Sequence, residues 1–242
     1  MAIRIRGINR LRRLLLKYRK KRLGLAEAKP NYAFLERFNP GDVAIDVGTC
    51  DDPDFSRLLI SRYGIKCFGV DPTRKHAQAL IDLAARESNF AYLPWCLGAS
   101  EGTATFFESQ VNDSGSLMTD HHNVVHDPIE SYEVVVHTLD YVVAHVLKET
   151  GVADVSIVKL DIEGAEYELI SSLTAESIRP IRQLLVEFHH DTVQQYSMSD
   201  TLKAIEHVKR LGMRSIIYNG RDCLFYRQRD QEKASLPGYL AR

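Results

Sequence analysis

Four short apolar runs in this 242-residue chain end on side chains that can hold charge or move a proton. Val43-Ala-Ile-Asp-Val leads to Asp46 and Gly48, and "IKCFGVD" ends on Asp71, 23 residues after Gly48. "SIVKLDIEG" ends on Asp161 and Glu163, and "QLLVEFHH" on Glu187, His189 and His190. If these runs are parallel strands, their carboxyl ends meet along one edge, where open α/β sheets bind ligands. An acid at the second strand end accepts both hydroxyls of a ribose.

The first loop separates two kinds of ribose-bearing ligand. A dinucleotide brings a pyrophosphate, which is held by glycine-rich backbone N–H groups at a helix N-terminus. "VAIDVGTCDDPD" has no GxGxxG, and Asp51, Asp52 and Asp54 would repel a pyrophosphate. S-adenosylmethionine carries a sulfonium and an ammonium and no phosphate. The acidic rim favours it over NAD.

Elements must position these groups. Val43–Val47 reads as a buried strand, and residues 53–63 as a helix with Pro53 in its first turn. Residues 65–71 form a second strand, and 73–86 a helix with Ala77, Leu80, Ile81 and Ala84 on one face. "NFAYLPWCLG" is a third strand, with "TATFFE" and "YEVVVHTL" as further strands. Residues 140–149 read as a helix, 154–164 hold a strand, 165–173 a helix, 181–190 a strand and 199–211 a helix. "MRSIIYNGRDCLFYRQ" reads as two strands joined at Asn219-Gly220. The fold class is therefore α/β: a Rossmann-like, doubly wound, mostly parallel sheet with a C-terminal antiparallel hairpin strand. "KPNYAFLERF" gives a short helix capped by Asn31. Residues 108–131 form a long polar insertion of the kind that makes a lid or substrate-binding segment. The domain spans residues 30–230, after a basic helical arm over 1–29 and before a tail over 231–242.

Composition is that of a globular protein, 45% hydrophobic and 26% charged. The net charge of −1 conceals an asymmetry: residues 1–22 carry ten Lys or Arg and no acid, leaving a balance of −11 in the remainder. An acidic body excludes the basic surface of a nucleic-acid binder. The arm has three readings, in descending order: a solvated helix packed on the domain, contact with anionic lipid through Leu14, Leu15 and Leu16, and contact with nucleic acid. No apolar run is long enough to span a bilayer, so no transmembrane helix is expected, and the basic residues 1–22 lack the apolar segment and small-residue cleavage site that a secretory signal would show. Cys50, Cys67, Cys96 and Cys223 are scattered without CxxC pairs, as in a reduced, cytoplasmic protein.

"IVKLDIEGAEYELI" (157–170) is similar to the Lys-x-Asp-x-Glu-Gly-x-Glu signature of the FkbM-type S-adenosylmethionine-dependent methyltransferases, with matches at Lys159, Asp161, Glu163, Gly164 and Glu166. "VDPT" (70–73), "SGSL" (114–117), "HTLDYVV" (137–143) and "LLVEFHH" (184–190) follow in that family's order. The first loop departs: Thr49 and Cys50 replace Ala-Asn, and Asp52 replaces the last glycine. The resemblance, over roughly residues 30–227, implies a class I methyltransferase fold and O-methylation of a small hydroxylated acceptor such as a sugar or glycoconjugate. It implies donor contacts from Asp46, Gly48, Thr49, Cys50, Asp71, Pro72, Cys96, Leu97 and Asp161.

Methyl transfer to oxygen is an in-line displacement with reacting atoms aligned at about 3 Å. Asp161 lies where the donor's methyl end falls; its alternative is a helix cap. Glu163 binds acceptor or caps the next helix. Lys159 shares a sheet face with Asp161 by period two and either neutralises the carboxylates or orients the acceptor. His189 shares a face with Glu187 and, with an ordinary pKa near neutrality, is the best-placed general base; its alternative is a structural strand-end histidine. The HH pairs lack zinc spacing, and a divalent ion on Asp161, Glu163 and His189 ranks second to a metal-free site. Competing readings are a non-catalytic relative and an NAD-dependent oxidoreductase. A nucleic-acid amino-methyltransferase is disfavoured, since its Asn/Asp-Pro-Pro-aromatic loop is missing.

Overall fold

A computed structural model describes residues 24–28, 32–217 and 220–228. The expected basic helix over residues 8–22, the Asn31 cap, Asn219 of the expected turn and the 231–242 tail lie outside the described residues.

Val43–Val47 (β3) is buried at every position, because alternate residues feed two different cores. Val43, Ile45 and Val47 pack on one sheet face, and Ala44 on the other. Asp54–Tyr63 (α1) follows, ending at Gly64 in the left-handed conformation that glycine tolerates. Then come Lys66–Val70 (β4), Arg74–Arg86 (α2) and Phe90–Leu93 (β5). After an excursion described below, Leu139–Thr150 (α4), Ile157–Leu160 (β10), Glu166–Ser172 (α5), Ala175–Ile178 (α6) and Gln183–Glu187 (β11) return to the sheet. Met198–Arg210 (α7), Arg214–Ile217 (β12) and Asp222–Tyr226 (β13) complete it.

The seven strands run in the order β12-β13-β11-β10-β3-β4-β5. β3 pairs in parallel with both β10 and β4, and β13 is antiparallel to its two neighbours. The chain leaves β3 toward β4 and β5, and later fills the opposite side with β10 and β11. The order therefore reverses between β3 and β10, and a crevice opens at their carboxyl ends. The expected doubly wound α/β fold is observed, with the antiparallel hairpin strand one place in from the edge.

Three differences from the sequence reading bear on the site. First, part of the expected helix over 29–38 is a strand of a hairpin: Leu25–Ala28 (β1) pairs antiparallel with Tyr32–Leu35 (β2). Ala33, Phe34 and Leu35 are all buried, so this short apolar run is apolar on both faces, a pattern that does not distinguish helix from strand. Gln183 fastens it to the sheet by accepting from Leu35 N at 2.7 Å and donating to Leu35 O at 3.1 Å. Second, the expected third strand breaks at Pro94, which lacks the N–H a ladder needs. Its second half, Cys96–Leu97 (β6), joins Gly102–Ser109 (β7), Gly115–Ser116 (β8) and Ile129–His137 (β9) in a separate sheet ordered β6-β9-β7-β8. Third, Leu80 is buried as expected, but Ile81 is exposed and α2 buries His76 as well. Within the 108–131 insertion, His122–His126 (α3) forms a short helix.

Candidate active site

A cavity of about 220 Å³ opens at the carboxyl ends of β3, β4 and β10, with the second sheet as its far wall. Gly48, Cys50, Asp71, Pro72, Cys96, Leu97, Asp161 and Glu163 line it, so eight residues singled out from the sequence meet on one surface. Phe106, Ser114, Gly115 and Leu117 of the second sheet and insertion close the opposite side. Asp46, Thr49, Lys159 and His189 do not reach the lining. Thr49 is buried and donates its hydroxyl to Asp46 O at 2.9 Å, holding the turn. Asp46 is 1% exposed and accepts from Ser56 Oγ at 2.7 Å. These two expected donor contacts act through the loop behind the wall.

Gly48 is where the two strand-end loops touch. It has φ +75°, and a Cβ there would stand 1.7 Å from Asp161 O. Asp71 is 3% exposed and stitches the adjoining turn: Oδ1 accepts from Thr73 N and Oδ2 from Cys50 N, both at 2.8 Å. Burial opposes its charge, but His76 and Thr73 hold its carboxyl below the usual carboxylate range. Cys50 takes a left-handed φ of +60°, uncommon for any residue but glycine.

The signature segment explains itself position by position. Lys159, opposite Asp46 in the β10–β3 register, reaches Asp46 Oδ1 and Asp161 Oδ2, both at 3.3 Å, and donates to Gly48 O at 3.1 Å. Burial works against its charge, yet the two carboxylates hold it firmly protonated. Gly164 has φ +108° and leaves room for Val193 and Met118. Glu166 is fully buried and clasps the turn from below. Its Oε1 accepts from Ile162 N at 2.9 Å and from His189 Nδ1 at 2.8 Å, and its Oε2 from Gly164 N at 2.9 Å. Glu163 has φ +52°, which turns its carboxylate toward two imidazoles. Oε2 lies 2.9 Å from His121 Nε2, off hydrogen-bond geometry, and 3.5 Å from His189 Nε2.

His189 differs from the expectation. Burial opposes its charge, but Glu166, Glu163 and Asp161 outweigh it and raise its pKa to about 10. Those carboxylates favour the imidazolium form, which has no free nitrogen lone pair with which to act as the expected general base. It serves as a fixed cation: its Nε2 stands 3.6 Å from Asp161 Oδ1. Asp161 is in turn held ionised despite its burial, by Lys159 first and His189 second.

The group whose proton is poised near neutrality is Glu187. Burial, then the Asp161 charge, push its pKa up to about 7. Between them stands Tyr32, which sequence reasoning placed in a helix and did not connect with the site. Its hydroxyl donates to Asp161 Oδ2 at 2.8 Å and lies 3.1 Å from Glu187 Oε2. A phenol has one hydrogen to donate, so the second contact is filled when Glu187 is itself protonated and donates to the phenol oxygen. His121 is the other residue missed. Its signal was the HH pair at 121–122 inside the insertion; Ser116 Oγ, donating to Glu163 O at 2.7 Å, docks the same insertion on the signature turn.

Among the described residues, two sets of side chains place potential metal-donor atoms within 4.8 Å of one another: Asp161, Glu187 and His189, and Cys50, Asp51 and His76. In the first set, the Lys159 ammonium lies 3.3 Å from Asp161 Oδ2.

Residues 46–215 match the protein family described as Methyltransferase FkbM domain. None of the curated proteins matches the chain. Among solved structures, the chain is similar to the fibrillarin/Nop5p complex at 11% identity, with 79% of this chain and 75% of that one covered and a TM-score of 0.46. The Methanococcus jannaschii fibrillarin pre-rRNA processing protein follows at 6% identity, 78% and 69% coverage and a TM-score of 0.45. Aeropyrum pernix fibrillarin, in complex with natively bound S-adenosyl-L-methionine, gives 10% identity, 77% and 66% coverage and a TM-score of 0.42.

Proposed function

The chain belongs to the FkbM methyltransferase family, and from that premise we propose that it moves the methyl group of S-adenosylmethionine to a hydroxyl of a small polar acceptor, such as a sugar or glycoconjugate. The observation that carries this reading is the position of the Asp161 carboxylate. It is on the wall of the donor cavity, held ionised by Lys159 and backed by a proton-holding pair. Asp71 at the far side is the acceptor for the donor's ribose, and Cys96 and Leu97 flank its base.

In the reaction the acceptor oxygen attacks the methyl carbon, the carbon–sulfur bond breaks, and its electron pair leaves on sulfur as a thioether. The hydroxyl proton must depart as the bond forms. Asp161 takes it. As Asp161 gains this proton, its new O–H can donate to the Tyr32 oxygen while the Tyr32 hydroxyl turns toward ionised Glu187, and burial beside two carboxyls keeps the phenol itself protonated. Lys159 and His189 act by position, and Glu163 and the insertion face the acceptor. The acidic rim suits a cationic donor.

The four cysteines are free thiols, which supports a reducing, cytoplasmic setting. Among the described residues no helix is long and apolar enough to cross a membrane.

The test is transfer of labelled methyl to a panel of glycosides and sugar nucleotides. The expected product is an O-methyl ether formed one-to-one with S-adenosylhomocysteine, and Asp161→Asn lowers kcat by about 100-fold or more. Methylation on nitrogen, or wild-type turnover by Asp161→Asn, overturns the reading. A non-catalytic relative is the second reading, and it draws on Asp52 standing where the family has glycine. In that case donor titrations show no binding.

A further inference from the structure

The departure in the first loop has a chemistry of its own. Cys50 Sγ lies 3.4 Å from Asp51 Oδ1 and 3.8 Å from His76 Nε2. Tetrahedral zinc, with Zn–S near 2.3 Å and Zn–N near 2.0–2.1 Å, separates a sulfur ligand from a nitrogen or oxygen ligand by about 3.5 Å. The sulfur already stands near that spacing from both other donor atoms, and all three lie within 4.8 Å of one another.

A second observation concerns His76. Its side chain is 3% exposed, and it aims Nε2 at the sulfur from the first turn of α2. Its Nδ1 is buried without a hydrogen-bond partner and faces Asp71 Oδ2 at 3.6 Å. Metal-binding imidazoles characteristically turn their second nitrogen toward a carboxylate, which fixes the tautomer and leaves the first nitrogen free to ligate. The left-handed φ of Cys50 fits the same picture, since strained backbone is retained where a function requires it. Asp51 is exposed, so the fourth position opens to water or a ligand.

We propose that Cys50, Asp51 and His76 form a three-ligand site for a thiophilic divalent cation of the zinc class, with Asp71 as its outer carboxylate. The mixed thiolate, imidazole and carboxylate set selects zinc or cobalt over magnesium and calcium, which take oxygen ligands. This site is separate from the Asp161, Glu187 and His189 cluster, where the Lys159 ammonium already lies 3.3 Å from Asp161 Oδ2. Cys50, Asp71 and His76 also line the cavity proposed for the methyl donor, so the metal is titrated with no donor present.

Cobalt(II) titration of the full reduced chain reads it without a donor or acceptor. Wild type should give a sulfur-to-cobalt charge-transfer band that saturates at one equivalent, with the intense visible transitions of a tetrahedral ion. Zinc should displace it and magnesium should not. Cys50→Ser should abolish the charge-transfer band, and His76→Gln should weaken cobalt binding by tenfold or more. Glu187→Gln should leave both unchanged. Circular dichroism of each variant keeps misfolding distinct from ligand loss. No charge-transfer band in wild type, or a band that survives in folded Cys50→Ser, overturns the site.

Discussion

The loops after β3 and β10 lie against each other, and they are built differently. Residues 161–165 are closed from within: Glu166 accepts two backbone N–H groups and one imidazole, and Lys159 and His189 offset the carboxylates. Residues 48–53 are open. Asp51 and Asp52 are exposed on the rim, Asp52 lying 3.2 Å from Arg57, and Asp71 and Thr49 brace the turn from beneath. A closed loop fixes where a reaction occurs. An open one leaves acidic ligands free to meet a cation from solution. The same acidic composition therefore yields a positioned carboxylate in one loop and a binding rim in the other.

The largest expected effect falls where the loops meet. Gly48→Ala places a methyl group into Asp161 O at a positive φ, and should prevent folding or cost more than about 4 kcal/mol in urea unfolding. Next is Glu166→Gln, which removes one acceptor from a fully buried clasp. Losing a buried charge partner costs about 3–5 kcal/mol, and the signature turn should lose amide-exchange protection while the 48–53 loop keeps its own. Tyr32→Phe should cost about 1–3 kcal/mol by leaving Asp161 and Glu187 short of a partner, and should move any activity pH profile governed by Glu187.

His189→Gln sharpens the closed loop through pH. The folded pKa of about 10 lies above the ordinary 6.5, so His189 stabilises the fold fully below pH 6.5. That contribution falls as pH rises and is gone above about 10. The stability gap between wild type and His189→Gln should be widest at pH 6 and close toward pH 10. The smallest effect belongs to the open loop: Asp51→Asn should change stability by less than about 0.5 kcal/mol, since its carboxylate is exposed.

Much of this was written plainly in the sequence. Asp71 and Asp161 were visible because each closes a short apolar strand, and the order of strands and helices gave the reversal that makes the crevice. Period two put Lys159 on the sheet face of Asp161, where the two side chains stand 3.3 Å apart, but left open whether it neutralises the carboxylates or orients an acceptor. Other parts were illegible for physical reasons. Tyr32 lies in "YAFL", too short and too uniformly apolar to separate strand from helix, and it reaches Asp161 across 129 residues of chain. The charge state of His189 depended on Glu166, whose place beneath the turn no spacing rule reveals. The second sheet arose because Pro94 split one predicted strand, and the site role of His76 emerged only once α2 was placed beside Cys50.

Donor binding in the cavity is the central claim, and calorimetric titration tests it most directly. S-adenosylhomocysteine and NAD would be titrated into wild type and into folded Asp71→Ala. The expected result is one-to-one binding of S-adenosylhomocysteine, weakened at least tenfold in Asp71→Ala, and no heat with NAD. Binding of NAD alone, or of neither ligand, would contradict it.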